Sequence, residues 1–180
     1  LTPGDRHPIC RELYRSDLQY LWTECGGTPP GNKNDMDSLI GTARIRIHKE
    51  NQQVDTIDVR CHKALIEKVQ NVFNNVIFNT KIDGKFFEVR DIVFYSWRCV
   101  DENNPTGSLS IHSWAVAFDI NADFNPFRRK MKWEQYKTAY GAEDDYLRLR
   151  TWNHPVVKAL AKAGFGWGMY QHSIDPMHFS

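Results

Sequence analysis

Ile45 and Ile47 alternate with Arg44, Arg46 and His48, and the alternation resumes at Ile57 and Val59 after the polar stretch Lys49–Gln53. Two period-two runs around a polar turn predict a β-hairpin. The period then changes. Leu65, Val69, Val72, Phe73 and Val76 recur at helical spacing, so residues 62–79 are expected to form an amphipathic helix. Residues 86–97 are rich in aromatic and branched side chains and read as a strand that delivers Arg98 to its end. Pro126 to Tyr140 is a further candidate helix, and Pro155 to Ala163 is predicted helical, with proline at its first position and Gly164 as its stop. Nearer the start, Leu13, Leu18, Leu21 and Trp22 fall loosely on one side of a helix from Cys10 to Trp22, which Gly26-Gly27 and Pro29-Pro30-Gly31 end. The Gly/Pro/Asn loop to Asn34 separates an N-terminal arm, residues 1–39, from a main domain, residues 40–180. No internal repeat is visible. The order of elements predicts an α+β domain, an antiparallel sheet with helices packed on one side.

Two further segments carry chemistry as well as pattern. In Ser110-Ile-His112-Ser-Trp-Ala-Val-Ala-Phe-Asp119, the bulky Trp114, Val116, Phe118 and Ile120 alternate with Ala115, Ala117 and Asp119. A strand here puts Asp119 on a face whose near neighbours are alanines, which leaves room for a metal and a substrate. His112 has the wrong parity to share that face, so it is expected on a turn or bulge just before the strand. At the far end, Asp175-Pro-Met-His178 places an aspartate before proline, which predicts an extended or turn conformation at Asp175, followed by a short terminal strand Met177-His178-Phe179, with a turn bringing Asp175 and His178 together. Together the segments supply two imidazoles and two carboxylates. That inventory suits a catalytic zinc site with three protein ligands, an open position and a base.

The two segments resemble those of the zinc D-Ala-D-Ala carboxypeptidases and L-alanyl-D-glutamate peptidases of bacterial cell-wall metabolism, which carry S-x-H-x-x-G-x-A-x-D and a later E/D-x-x-H. The matching positions are Ser110, His112, Ala115, Ala117 and Asp119, then Asp175 and His178, with Tyr95-Ser-Trp-Arg98 as an upstream Y-x-x-R. The resemblance spans residues 40–180 and implies a Hedgehog/D-Ala-D-Ala-peptidase-like fold. It also implies zinc on His112, Asp119 and His178, with Asp175 as catalytic base. Arg98 would polarise the scissile carbonyl or hold a substrate carboxylate, and Ser110 would contact substrate. Ala115 departs from the usual glycine, and Ser180 stands where an acidic or amide residue is common. Aspartate at position 175 is found among phage-type members and tilts the expected activity toward L-Ala–D-Glu endopeptidase action on the stem peptide of peptidoglycan, as in an endolysin. A D-Ala-D-Ala carboxypeptidase and a noncatalytic zinc-containing binding module remain open alternatives.

The remaining features narrow the setting rather than the chemistry. A formal net charge of +1 argues against a general polyanion or nucleic-acid binder, and Arg128-Arg129-Lys130 with Lys132 reads as a solvated helix or loop face. No apolar run is long enough to span a membrane. Cys10, Cys25, Cys61 and Cys99 lack metal-site spacing and read as buried or free thiols. His7, His48, His62 and His154 are expected in surface, capping or supporting roles, while His172 lies close enough in sequence to Asp175 to enter the pocket. Trp114 reads as core; Trp152, Trp167 and Tyr170 are candidates for core or for an aromatic wall along the substrate. The chain begins at Leu1, which leaves a removed leader or a further domain open, and localisation with it.

Overall fold

A computed structural model describes residues 33–99, 103, 110–129, 145–170 and 173–180. The expected helix at 10–22, Cys10, Cys25, His7, His172 and most of the candidate helix at 126–140 lie outside them. A short helix α1 (Lys33–Leu39) leads into β1 (Ile40–His48), which pairs antiparallel with β2 (Val54–His62) in unbroken register, Ile45 opposite Ile57. The hairpin read from the sequence is therefore present. Its inner face buries Ala43, Ile45, Ile47, Val59 and Cys61, and its outer face carries the exposed Arg44–Asp58 pair at 2.9 Å. Burial pushes the Cys61 thiol up to about 11, which leaves it protonated and inert.

The helical stretch from Lys63 to Asn79 is not one regular helix. It comprises a 3-10 turn (Lys63–Leu65), α2 (Ile66–Asn71), a π turn (Val72–Val76) and a last 3-10 turn (Ile77–Asn79). The wider π turn shifts the buried face by one residue. Ile77 is consequently 1% exposed, whereas Val76, which the helical spacing placed inside, is 42% exposed. His62 caps the stretch through Nδ1, which accepts the Ala64 N–H.

The long strand expected over 86–97 is instead three separate pieces of extended chain. β3 (Lys81–Ile82) and β4 (Lys85–Phe86) form a small hairpin around Asp83-Gly84, both at positive φ, as a tight two-residue turn requires. Glu88 bridges to His48, and β5 (Ile92–Val93) pairs with β6 (Phe118–Ile120). Between them a side chain substitutes for a strand partner. The fully buried Asn121 accepts the Arg90 N–H at 2.7 Å and donates to the Glu88 carbonyl at 2.8 Å.

Arg128–Arg129, expected within a helix, forms strand β7, because its backbone is held extended in the ladder opposite Ile174 and Ser173. Helix α3 (Pro155–Lys162) matches its prediction. His154 Nδ1 accepts the Val156 N–H, Pro155 occupies the first turn, and Gly164 follows at φ 94°. β8 (Trp167–Tyr170) and β9 (Ser173–Phe179) complete a sheet in the order β5-β6-β9-β7, with β8 also on β9. Antiparallel sheets with a few helices make this an α+β protein.

Phe118 sits where the layers meet, with the rings of Phe94, Phe165, Phe179 and Phe73 between 4.6 and 5.8 Å away. It is buried on one face of β6. Alternation therefore turns Asp119 to the other face. No described helix is long and apolar enough to cross a membrane.

Candidate metal centre

His112 is delivered by a 3-10 turn, Ile111–Trp114, ahead of the strand as its parity demanded. The strand itself is shorter than expected, starting at Phe118, so Trp114 belongs to the turn and packs against the core from there. Ser110 caps the turn, its Oγ accepting the His112 N–H at 3.3 Å, and is itself buried. Ala115 closes the turn at φ 55°, ψ 30°, the left-handed region, and its carbonyl accepts the N–H of His62 at 2.9 Å. The resemblance places glycine here, and this backbone is why. Alanine, the smallest residue with a Cβ, still enters this region at a cost of order 1 kcal/mol.

Asp119 and His178 stand directly opposite each other in the β6–β9 ladder and so share a face. The register extends the row outward, since Val93 of β5 faces Asp119 and is 48% exposed. His112 reaches into this row from the turn. Its Nε2 lies 3.2 Å from His178 Nδ1 and 3.3 Å from Asp119 Oδ1, and His178 Nδ1 is 3.0 Å from the same oxygen. These three residues form a group able to hold a metal ion. The spacing fits one particularly well: ligand distances of about 2.0–2.1 Å in tetrahedral geometry put ligand atoms roughly 3.3 Å apart. Three lone-pair donors this close repel one another unless a proton or cation lies among them. His112 is also oriented for the task, because its Nδ1 faces the Phe94 carbonyl at 3.1 Å, which turns Nε2 toward Asp119 and His178.

The electrostatics agree with that crowding. Burial favours neutral Asp119, but hydrogen bonds with His112 and His178 outweigh it and hold the carboxyl well below the usual range. Burial favours neutral His112, yet contact with Asp119 raises its pKa. Asp175 differs from both. Burial is the largest effect on it, opposed by the charge of His178 and reinforced by that of Asp119, and its pKa is pushed up to about 6. One of its oxygens, Oδ1, is enclosed and has no hydrogen-bond partner among the described residues. An unpartnered carboxylate oxygen beside a metal-type donor set suits a base awaiting water.

The turn expected at Asp175-Pro176 is instead a bulge within one continuous strand. Trp167 pairs with Phe179 and Met169 with Ile174, so Gly168 alone spans residues 175–178 of β9. Proline, lacking an N–H, is tolerated where the ladder is already broken, and its carbonyl accepts the Trp167 indole N–H at 2.8 Å. The bulge re-aims side chains, which is how Asp175 and His178, of opposite parity, come close enough to feel each other's charge.

Gly168 is a residue the sequence reading passed over. A Cβ there would lie 2.6 Å from the Asp175 carbonyl oxygen and 2.9 Å from His178 Cβ. A lone glycine among Trp167, Met169 and Tyr170 was the available signal, since glycine inside a strand pattern marks a bulge or close approach. Trp167 is core, Trp152 packs partly buried against that core with its ring 4.9 Å away, and His48 is stacked between Phe78 and Phe86. Arg98 is close enough for its charge to lower the pKa of both Asp175 and His112.

Comparison with known proteins gives one match. A family model described as D-alanyl-D-alanine carboxypeptidase covers residues 103–180, which includes His112, Asp119, Asp175 and His178 and leaves Arg98 outside. No curated protein and no solved structure matches the chain. The match supports the resemblance to zinc peptidases read from the two motifs.

Proposed function

We propose that this protein is a zinc-dependent peptidase of the bacterial cell wall, with a Hedgehog/D-Ala-D-Ala-peptidase-like fold, that cleaves a bond in the stem peptide of peptidoglycan. The observation that carries the reading is the convergence of His112 Nε2, Asp119 Oδ1 and His178 Nδ1 at 3.0–3.3 Å, near a buried Asp175 oxygen that has no hydrogen-bond partner among the described residues. His112, Asp119 and His178 would hold a zinc ion, which would supply Lewis acidity for the carbonyl and a water nucleophile near neutral pH. Asp175 accepts the proton of the attacking water and returns it to the leaving amine. Arg98 steadies the negative charge that develops on the carbonyl oxygen, a contact worth roughly 3–4 kcal/mol for one donor. Ser110 serves the site by capping the turn that presents His112, its Oγ accepting the His112 N–H.

The first choice of bond is L-Ala–D-Glu, on the aspartate at position 175. The description of the matching family favours a second reading, D-Ala-D-Ala carboxypeptidase action on the same machinery. Both are tested together. Protein purified without added metal should carry one zinc per chain, which His112→Ala and His178→Ala should lose, and mass spectrometry of digested sacculi should show new D-Glu amino termini. Free D-Ala alone would select the carboxypeptidase, and zinc retained by both histidine variants would remove the site.

A further inference from the structure

Ser113 follows the ligand His112 and is fully buried, yet its hydroxyl bonds nothing in its own turn. It reaches back fifteen residues to the chain at Arg98. Ser113 Oγ accepts the Arg98 N–H at 3.0 Å and lies 2.9 Å from the Arg98 carbonyl and 3.2 Å from that of Ser96. Its single proton is shared between those two carbonyls, with the Arg98 carbonyl the nearer. Two backbone bonds flank this contact, from Ser96 N–H to the His112 carbonyl at 3.2 Å and from Ser110 N–H to the Arg98 carbonyl at 2.9 Å. Residues 94–98 have no regular ladder of their own, the last ladder pair before them being at Val93. The turn that presents His112 is thus also what fixes the backbone of Arg98.

We propose that Ser113 is a positioning residue for Arg98, its hydroxyl clamping the Arg98 peptide to the His112 turn so that guanidinium and metal ligands keep a set separation. The inference rests on the role given to Arg98 above. A buried serine merely satisfied by a nearby carbonyl would need one bond; this one holds both the N–H and the C=O of the same residue. Misplacement of a catalytic group by about 1 Å costs on the order of a hundredfold in rate. Loss of the clamp should therefore appear in kcat.

The test is a double-mutant cycle on the zinc-loaded protein with purified peptidoglycan, with zinc content and thermal stability read on every sample. Ser113→Ala should lower kcat by roughly tenfold to a hundredfold while zinc content stays at the wild-type value. In an Arg98→Ala background the same change should cost no further rate, because the group being positioned is gone. Ser113→Cys, nearly the same size with a weak donor and acceptor, should fall between wild type and alanine and serves if the alanine variant does not fold. An equal loss in both backgrounds, or zinc lost with the hydroxyl, would overturn the inference and leave Ser113 a support of the fold or of His112. Arg98→Ala at the wild-type rate would instead overturn the premise and remove Arg98 from the mechanism.

Discussion

In the β1–β2 hairpin nine residues pair with nine without a break, whereas β6, which carries Asp119, pairs over only two residues on either side. The reason is geometric. Side chains on one face of a regular strand stand about 6.6 Å apart, far more than the separation of roughly 3.3 Å that a shared tetrahedral metal imposes. Ligands must then come from opposing strands or from outside the ladder. In the group able to hold a metal, Asp119 and His178 come together by the first route and His112 by the second, and Asp175 lies in a bulge. The hairpin has no such demand and follows its sequence period until the last residue of each strand, where His48 and His62 are buried beside Ile47 and Cys61. One region supplies cohesion, and the other gives up regularity to bring polar atoms together.

That division is broken most sharply at Asp175. Asp175→Asn keeps the shape and removes the base, so turnover should fall by roughly 10²–10⁴-fold while zinc content and thermal stability hold. Zinc lost with the carboxylate would make Asp175 a ligand and merge the two roles. The pH profile sharpens the same point. A base must be ionised to act, and burial raises the Asp175 pKa from 3.8 to about 6, so rate should rise with pH through that value. A bound cation pulls the pKa back down, which places the acid limb between 3.8 and about 6. The limb should vanish from the residual rate of Asp175→Asn; if it persists, it reports the histidines.

Two substitutions of intermediate effect should separate the regions. Ile45→Ala, in the fully buried inner face of the hairpin, should cost about 2–5 kcal/mol of stability with little change in rate per folded molecule. Gly168→Ala should do the reverse. Its new Cβ collides with the Asp175 backbone and His178 Cβ, so overpacking of about 1–3 kcal/mol should appear mainly as displaced ligand and base, with weaker zinc binding and slower turnover. Denaturant melts beside zinc titrations would decide. Equal losses of stability and rate in both variants would mean that the two regions are not energetically distinct.

The same contrast explains what the sequence made legible. The hairpin, α3 with its proline and glycine punctuation, and the turn under His112 followed from period, capping and parity. The failures lie where side chains or bulges replace the ladder. Residues 86–97 have strand composition, but Asn121 satisfies the backbone there, and nothing local announces an asparagine thirty residues away. Around Asp175 the residue before proline reads as extended or turn; the chain is extended, and only the pairing with β8 shows that it sits in a bulge. Val76 was placed inside because a π turn has no period of its own to read. The metal-type group was legible because its residues are chemically distinctive; Ser113 and Gly168 were not, because their importance lies in what touches them.

The smallest effect belongs to Ala115, where regular and irregular structure meet. Its left-handed backbone strains any residue with a Cβ by about 1–2 kcal/mol, which Ala115→Gly would relieve. Glycine also restores conformational freedom to the unfolded chain, a cost of about 0.4–1 kcal/mol. It removes a fully buried methyl as well, worth about 0.8 kcal/mol. The three terms nearly cancel, so Ala115→Gly should shift stability by no more than about 1 kcal/mol and leave turnover unchanged. Ala115→Val tests the same backbone from the other side. A β-branched residue in the left-handed region at this fully buried position should cost about 2 kcal/mol or more, in the range of other strained backbone sites. Because this turn fixes both His112 and Arg98, that variant should also turn over more slowly. Thermal melts and initial rates on the pair give the answer, and a valine variant as stable and active as wild type would show that the turn does not hold the left-handed conformation at all.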